Sequence, residues 1–169
     1  MQKLVVVMVA GAIAGSLVAL AGCASAHKEE ASKLDVADVP ASVMHTVNTR
    51  LPGASVDKVE KEKEHGTIVY DFELKQNGRK FEMDVAESGT LLEIEKEIAA
   101  ADVPPSVTHA VQSKYPSATV HEVMEVDVVK GGSEKPDHYE VTVVVSGKKH
   151  EVTVSLDGTR VGEEDEDED

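Results

Sequence analysis

DVPASVMHTVNTRLPGASV at residues 38–56 and DVPPSVTHAVQSKYPSATV at residues 102–120 say nearly the same thing twice. At an offset of 64 they share Val39/Val103, Pro40/Pro104, Val43/Val107, His45/His109, Val47/Val111, Pro52/Pro116 and Val56/Val120. Beyond the stretch KGGSEKP (residues 130–136) the offset becomes 69, matching Tyr70/Tyr139, Gly78/Gly147, Glu82/Glu151, Val85/Val154 and Gly89/Gly158. A five-residue insertion at one hairpin tip accounts for the change. The chain is a tandem duplication, and a repeat of this kind governs every later assignment.

Each copy opens with a helix. Pro40 suits the first helical position, where a missing N–H costs nothing, and Asp38 places negative charge by the helix N-terminus. Val39, Val43, Met44, Val47 and Leu51 recur at three and four, one apolar stripe closed by Pro52-Gly53. Val103, Val107, Ala110, Val111 and Tyr115 repeat it. Strands follow: Ile68, Tyr70, Phe72 and Leu74 alternate with polar neighbours, then Phe81, Met83 and Val85, then Leu92, Ile94 and Ile98. A more polar first strand spans Val56–Glu64. The breaks at His65-Gly66, Asn77-Gly78 and Ser88-Gly89 are hairpin signals. The second copy runs Thr119–Lys130, His138–Ser146, Lys149–Leu156 and a short Thr159–Gly162. The expected fold is α+β: two tandem units of a helix plus a four-stranded antiparallel meander, forming one sheet with both helices on one face.

The N-terminus reads MQKLVVVMVAGAIAGSLVALAGC, with one basic residue, an apolar run and then Leu20-Ala21-Gly22-Cys23. A short apolar run behind a basic start is a secretory signal, and Leu-Ala-Gly-Cys resembles the lipobox of bacterial lipoproteins. That resemblance implies removal of residues 1–22 and lipid attachment at Cys23, the single Cys. It also implies a membrane tether, at the periplasmic face of the outer membrane in a Gram-negative cell, since no Asp follows the Cys. Residues 23–37 are expected to be a linker, 38–98 the first repeat, 102–162 the second, and 163–169 a disordered acidic tail of seven acids. Without Lys3, 16 basic side chains face 32 acidic ones, a net charge of −16. Phosphate binding needs lysine and arginine patches, so a nucleic-acid partner is excluded.

The pattern VP…V…V…LPGA.V..VE followed by Y.FEL..NG..FEMDV...G.LLEIE resembles the PepSY-like family, whose tandem form is similar to the β-lactamase-inhibitor-protein fold. The resemblance covers nearly the whole mature chain, twice. It implies a non-catalytic envelope protein that binds, and in some members inhibits, a peptidase or other hydrolase through its sheet face. The secreted lactamase inhibitors carry disulfides, and this chain has no Cys for them.

No phosphate loop, Cys-x-x-Cys, His-Glu-x-x-His or Gly-x-Ser-x-Gly occurs, so an enzyme is not expected. His45 and His109 fall off the apolar stripes and should be exposed. His150 matches Phe81 and should face inward, and His121 lies near Glu122 and Glu125 without a specific metal spacing. The acidic strands carry more. If Asn77-Gly78 is a two-residue turn, residues whose numbers sum to 155 are opposite one another. Leu74–Phe81, Phe72–Met83 and Tyr70–Val85 then pair inward, a self-consistent register. Outward, Glu73 meets Glu82 and Asp71 meets Asp84; across the next turn Asp84 meets Glu93 and Glu82 meets Glu95. Asp71, Glu73, Glu82, Asp84, Glu93 and Glu95 therefore form two carboxylate rows, with Lys58, Lys75 and Lys80 as the nearest neutralising charges. Like charges directly opposite destabilise a sheet, so the face suits a basic partner protein or weakly bound Ca²⁺, which takes oxygen ligands. No cofactor beyond such an ion is expected.

Overall fold

The computed structural model describes residues 29–64 and 66–162. The signal segment, Cys23 and the acidic tail all lie outside the described residues. Two helices, α1 (Ala41–Arg50) and α2 (Pro105–Lys114), accompany eight strands. These are β1 (Glu29–Lys33), β2 (Ser55–Glu64), β3 (Thr67–Gln76), β4 (Arg79–Ala86), β5 (Leu91–Glu97), β6 (Thr119–Lys130), β7 (Ser133–Val145) and β8 (Lys148–Ser155). They form one antiparallel sheet in strictly sequential order. Asn77 and Gly78 both have positive φ, as a two-residue hairpin turn of this twist demands. That turn fixes Leu74 opposite Phe81, Phe72 opposite Met83 and Tyr70 opposite Val85, the register the sequence predicts.

The helix stripes find their cores. Val43, Val47 and Leu51 of the α1 segment pack with Val59, Tyr70, Phe72, Leu74, Met83 and Val85. Val107, Ala110 and Val111 of α2 pack with Val123, Tyr139, Val141, Val143, Val152 and Val154. Residues directly opposite one another share a face. Met83 opposite Ile94, Ile94 opposite Asp127, and Val123 four residues along β6 therefore carry one face from the first core into the second. Pro40 and Pro104 sit one place earlier than predicted, as N-cap residues, and Pro105 takes the first turn of α2. Two hairpin turns lean on the helix starts. Gly89 and Gly158 have φ of +87° and +72°, and a Cβ there would come within 2.8 Å and 2.6 Å of the Ser42 and Ser106 carbonyl oxygens. Glycine is required at both.

The expected boundaries shift. The stretch 23–37 is not only a linker, since it supplies β1, which covers the outer edge of β2. Its polar sequence EEASK has no apolar alternation to announce a strand. Lys33 opposite Glu60 and Ser32 opposite Lys61 match Glu97 opposite Met124 and Lys96 opposite Glu125, each at an offset of 64. The Leu34 amide donates to the Val59 carbonyl at 2.9 Å and the Ile98 amide to that of Val123 at 3.0 Å, again in register. So the repeated unit is strand–helix–three strands: β1, α1, β2, β3, β4, and then β5, α2, β6, β7, β8. The fourth strand expected at Thr159–Gly162 reduces to a single bridge between Val161 and Val154, because the chain turns wholly acidic at Glu163.

The insertion also behaves differently from a loose tip. Gly131 and Gly132 make the turn, while Ser133–Pro136 extend β7. Pro136 sits at a register shift where β7 has an extra residue opposite Val126–Asp127, the kind of place where a strand tolerates proline. The lengthened hairpin reaches back to the first unit, and Glu134 forms an ion pair with Arg50 at the end of α1.

Candidate functional site

The strand registers assemble the carboxylate rows. Glu73–Glu82–Glu95 lie in one line and Asp71–Asp84–Glu93 in the next, across three strands, on the face that alternates with Phe72 and Met83. The rows continue where sequence reasoning stopped. Lys58 lies opposite Glu73 and Glu60 opposite Asp71 on one side, and Glu95 meets Val126, itself opposite His138, on the other. Glu140, two residues along β7, joins them. One carboxylate oxygen from each of Glu93, Glu95 and Glu140 can be found within 4.8 Å of the others. The bulge at Asp137 hides this neighbour from any simple turn-counting rule.

Lysines pair with part of this face. Lys58 Nζ lies 3.0 Å from Glu60 and 3.4 Å from Glu73, and Lys80 Nζ lies 2.6 Å from Glu82 and 3.2 Å from Glu122. The hydrogen bond to Glu60 heads the causes that raise the Lys58 pKa. Burial works against the charge of Lys80, yet Glu82 and Glu122 outweigh it and hold its pKa above the usual value. Lys75 is turned aside, 3.9 Å from Asp57. Among the described residues, no lysine or arginine forms an ion pair with Asp71, Asp84 or Glu95.

Those three acids sit among apolar neighbours. Val69, Met124 and Val126, on the same face, are 1%, 3% and 0% exposed, so the face is less open than a bare sheet. Burial disfavours a charged carboxylate, and neighbouring carboxylates add repulsion. Burial followed by Glu82 and Glu62 raises Asp71 to about 6. Burial with Asp71 and Glu93 raises Asp84 to about 8. Burial with Glu140, Glu82 and Glu93 raises Glu95 to about 10. His138 answers this field: its Nε2 lies 3.3 Å from Glu140 and its Nδ1 3.3 Å from Asp137. The Glu140 contact raises its pKa against the opposing effect of burial.

The other histidines are peripheral. His45 and His109 are exposed on the helices, as predicted. His150 lies opposite the core residue Val143, on the face expected, and is exposed because it sits at the sheet rim, three residues past the Ser146–Gly147 turn. Glu122 and Glu125, the acids near His121, are held by Lys80 and Lys96 at 3.2 and 2.6 Å. The signal for the true histidine neighbour, His138, was its place two residues before Glu140 on an alternating strand.

Among curated proteins none matches the sequence. Several solved structures share the fold, three of them as follows. A Bacteroides eggerthii protein described as periplasmic is 17% identical, with 74% of this chain and 88% of that chain covered and a TM-score of 0.55. A DUF2874 family protein from Bacteroides uniformis is 21% identical, with 73% and 88% covered and a TM-score of 0.53. Another from Bacteroides ovatus is 17% identical, with 73% and 86% covered and a TM-score of 0.51. The family model described as beta-lactamase-inhibitor-like, PepSY-like matches residues 26–93 and again 82–159. The first match starts ahead of β1, and the two overlap across β4 and β5, where one unit hands over to the next. This chain belongs to the PepSY-like family.

Proposed function

We propose that this chain is a lipid-tethered, non-catalytic envelope protein that binds a partner, a peptidase or other envelope hydrolase with a basic contact surface, through its acidic sheet face. In this reading two helix-bearing units lay both helices over one side of the sheet and leave the other side for the partner. The carboxylate rows carry the reading. Burial and neighbouring carboxylates make Asp71, Asp84 and Glu95 costly to ionise, and an arriving positive charge offsets that cost. The beta-lactamase-inhibitor-like description of the family supports protein binding, and the periplasmic description of a structural relative supports the envelope. No helix among the described residues is long and apolar enough to cross a membrane, so the tether rests on the lipobox and Cys23.

Crosslinking in intact cells tests this. The wild-type chain should capture an envelope protein with a basic surface, at least tenfold more than an Asp84→Asn, Glu95→Gln variant. Capture should weaken as the pH falls from 8 to 5, because Asp71 and Asp84 take up protons across that range and lose the charge being recognised. A Cys23→Ala variant should remain an unprocessed precursor and take up no fatty-acid label. Equal capture by wild type and charge variant refutes the assigned face.

A second reading is favoured by one observation, the convergence of Glu93, Glu95 and Glu140. Three hard oxygen donors suit Ca²⁺ rather than zinc or copper. With water completing the shell, the dissociation constant should be on the order of 10⁻⁴–10⁻³ M. Ca²⁺ at about 100 times that value should stabilise the fold by roughly 2.7 kcal/mol. A thermal melt with and without Ca²⁺ should show the shift in wild type and lose it in Glu95→Gln, Glu140→Gln. A shift that instead requires residues 163–169 assigns the ion to the tail and rejects this site.

A further inference from the structure

The two units do not fill their cores alike. At equivalent positions Met44, Phe72, Leu74 and Met83 of the first unit become Thr108, Val141, Val143 and Val152 in the second. Phe72 and Met83 are opposite one another, as are Val141 and Val152, so the equivalence holds in space. Every one of these changes removes volume. In the first unit Phe72 is fully buried and Met44 packs against the same cluster. In the second unit a cavity of about 280 Å³ lies between the start of α2 and β6, and both Thr108 and Val141 line it. Its roof is the alanine connector Ala99–Ala100, and its inner wall includes Val123. Val120, 40% exposed, lines it as well.

We infer that this cavity is a binding site for a small neutral molecule bearing one aromatic ring or a short unbranched alkyl chain. The first unit shows the shape that satisfies the space, since there a phenyl ring and a thioether chain occupy the corresponding positions. Six valines line it beside four polar residues, Glu97, Thr108, His121 and Glu122, and a valine-lined space of even about 150 Å³ is enough to take up benzene. The volume is just under the 300–1,000 Å³ range of sites for drug-sized ligands, so the occupant is compact. The site lies against α2, none of the six acids of the carboxylate rows lines it, and it does not depend on their role.

Toluene and indole serve as probes on the full-length protein. Toluene at about ten times its dissociation constant should raise Tm by about 3–6 °C and move the valine methyl resonances of Val111, Val123 and Val141. Thr108→Met and Val141→Phe, which restore the first unit's residues, should each raise Tm unaided and weaken toluene binding at least tenfold. Should Val141→Phe fail to fold, Thr108→Met alone carries the test. Toluene binding that persists undiminished in the filled variants overturns the site. So does the absence of any probe effect on wild type, and so does binding confined to a phenylalanine-bearing peptide, which would make the cavity a contact point for another protein.

Discussion

Raising the pH from 5 to 9 should destabilise this fold by several kcal/mol, a large part of the roughly 5–15 kcal/mol that holds a typical domain together. The direction follows from three acids. Asp71, Asp84 and Glu95 have pKa values raised to about 6, 8 and 10, above ordinary values of 3.8, 3.8 and 4.5. The folded chain therefore keeps protons that the unfolded chain gives up near pH 4. Their contribution is complete below that point and is lost as the pH climbs through 6, 8 and 10. His138, also raised, acts in the same sense, its stabilisation being lost as pH rises through its folded pKa. Asp137 and Asp157 are lowered and oppose the trend only in stronger acid. Thermal melts across this range should show Tm falling by about 10 °C. An Asp84→Asn, Glu95→Gln variant keeps the shapes and removes the charges, so it should melt higher than wild type at pH 8 and give a much flatter profile. A wild-type Tm that rises with pH, or a variant with the wild-type slope, would show that the rows carry no such repulsion.

Phe72→Ala should be the most damaging single core change, costing about 3–5 kcal/mol and lowering Tm by more than 10 °C. Phe72 is fully buried, opposite Met83 and beneath the α1 stripe. Its removal takes out the largest fully buried side chain of a well-filled cluster. Val141→Ala, at the equivalent place in the second unit, deletes less and borders space that is already empty, so about 2 kcal/mol is expected. Urea titrations of both variants decide the matter. Equal losses would mean that the two cores are packed to the same degree after all.

The parts of this architecture that were legible in the sequence have a common physical origin. Asn77-Gly78 permits one tight turn, and a slip of one residue would have turned Phe72 and Met83 outward, so both carboxylate rows could be placed residue by residue. The helix stripes were equally plain, because Val43 and Val47 recur at helical spacing. What stayed hidden lacked such a local code. The strand Glu29–Lys33 is defined by its pairing to Ser55–Glu64 rather than by any alternation of its own. Glu140 and His138 meet Glu93 and Glu95 only because a glycine turn, an added proline and a bulge set the register of β6 and β7. Burial was hidden as well: nothing in Asp84 or Glu95 alone announces the apolar company of Val69 and Val126.

The joint between the two units has a consequence at the ends of the sheet. β4 receives β5, and by the repeat β8 is the counterpart of β4 while β1 is the counterpart of β5. Among the described residues the strands at the two extremities are thus the two halves of the joint that closes the middle. A joint of this head-to-tail type does not close on itself and, left unguarded, would propagate from molecule to molecule as a fibre. The molecule blunts one end. Arg160–Gly162 double back along β8, with the Ser155 amide donating to the Arg160 carbonyl and the Gly162 amide to that of Thr153. The remainder of that edge presents Lys148, Lys149 and His150, all exposed, and charge along an edge discourages pairing with another chain. The same duplication that enlarges the sheet obliges it to carry a stop.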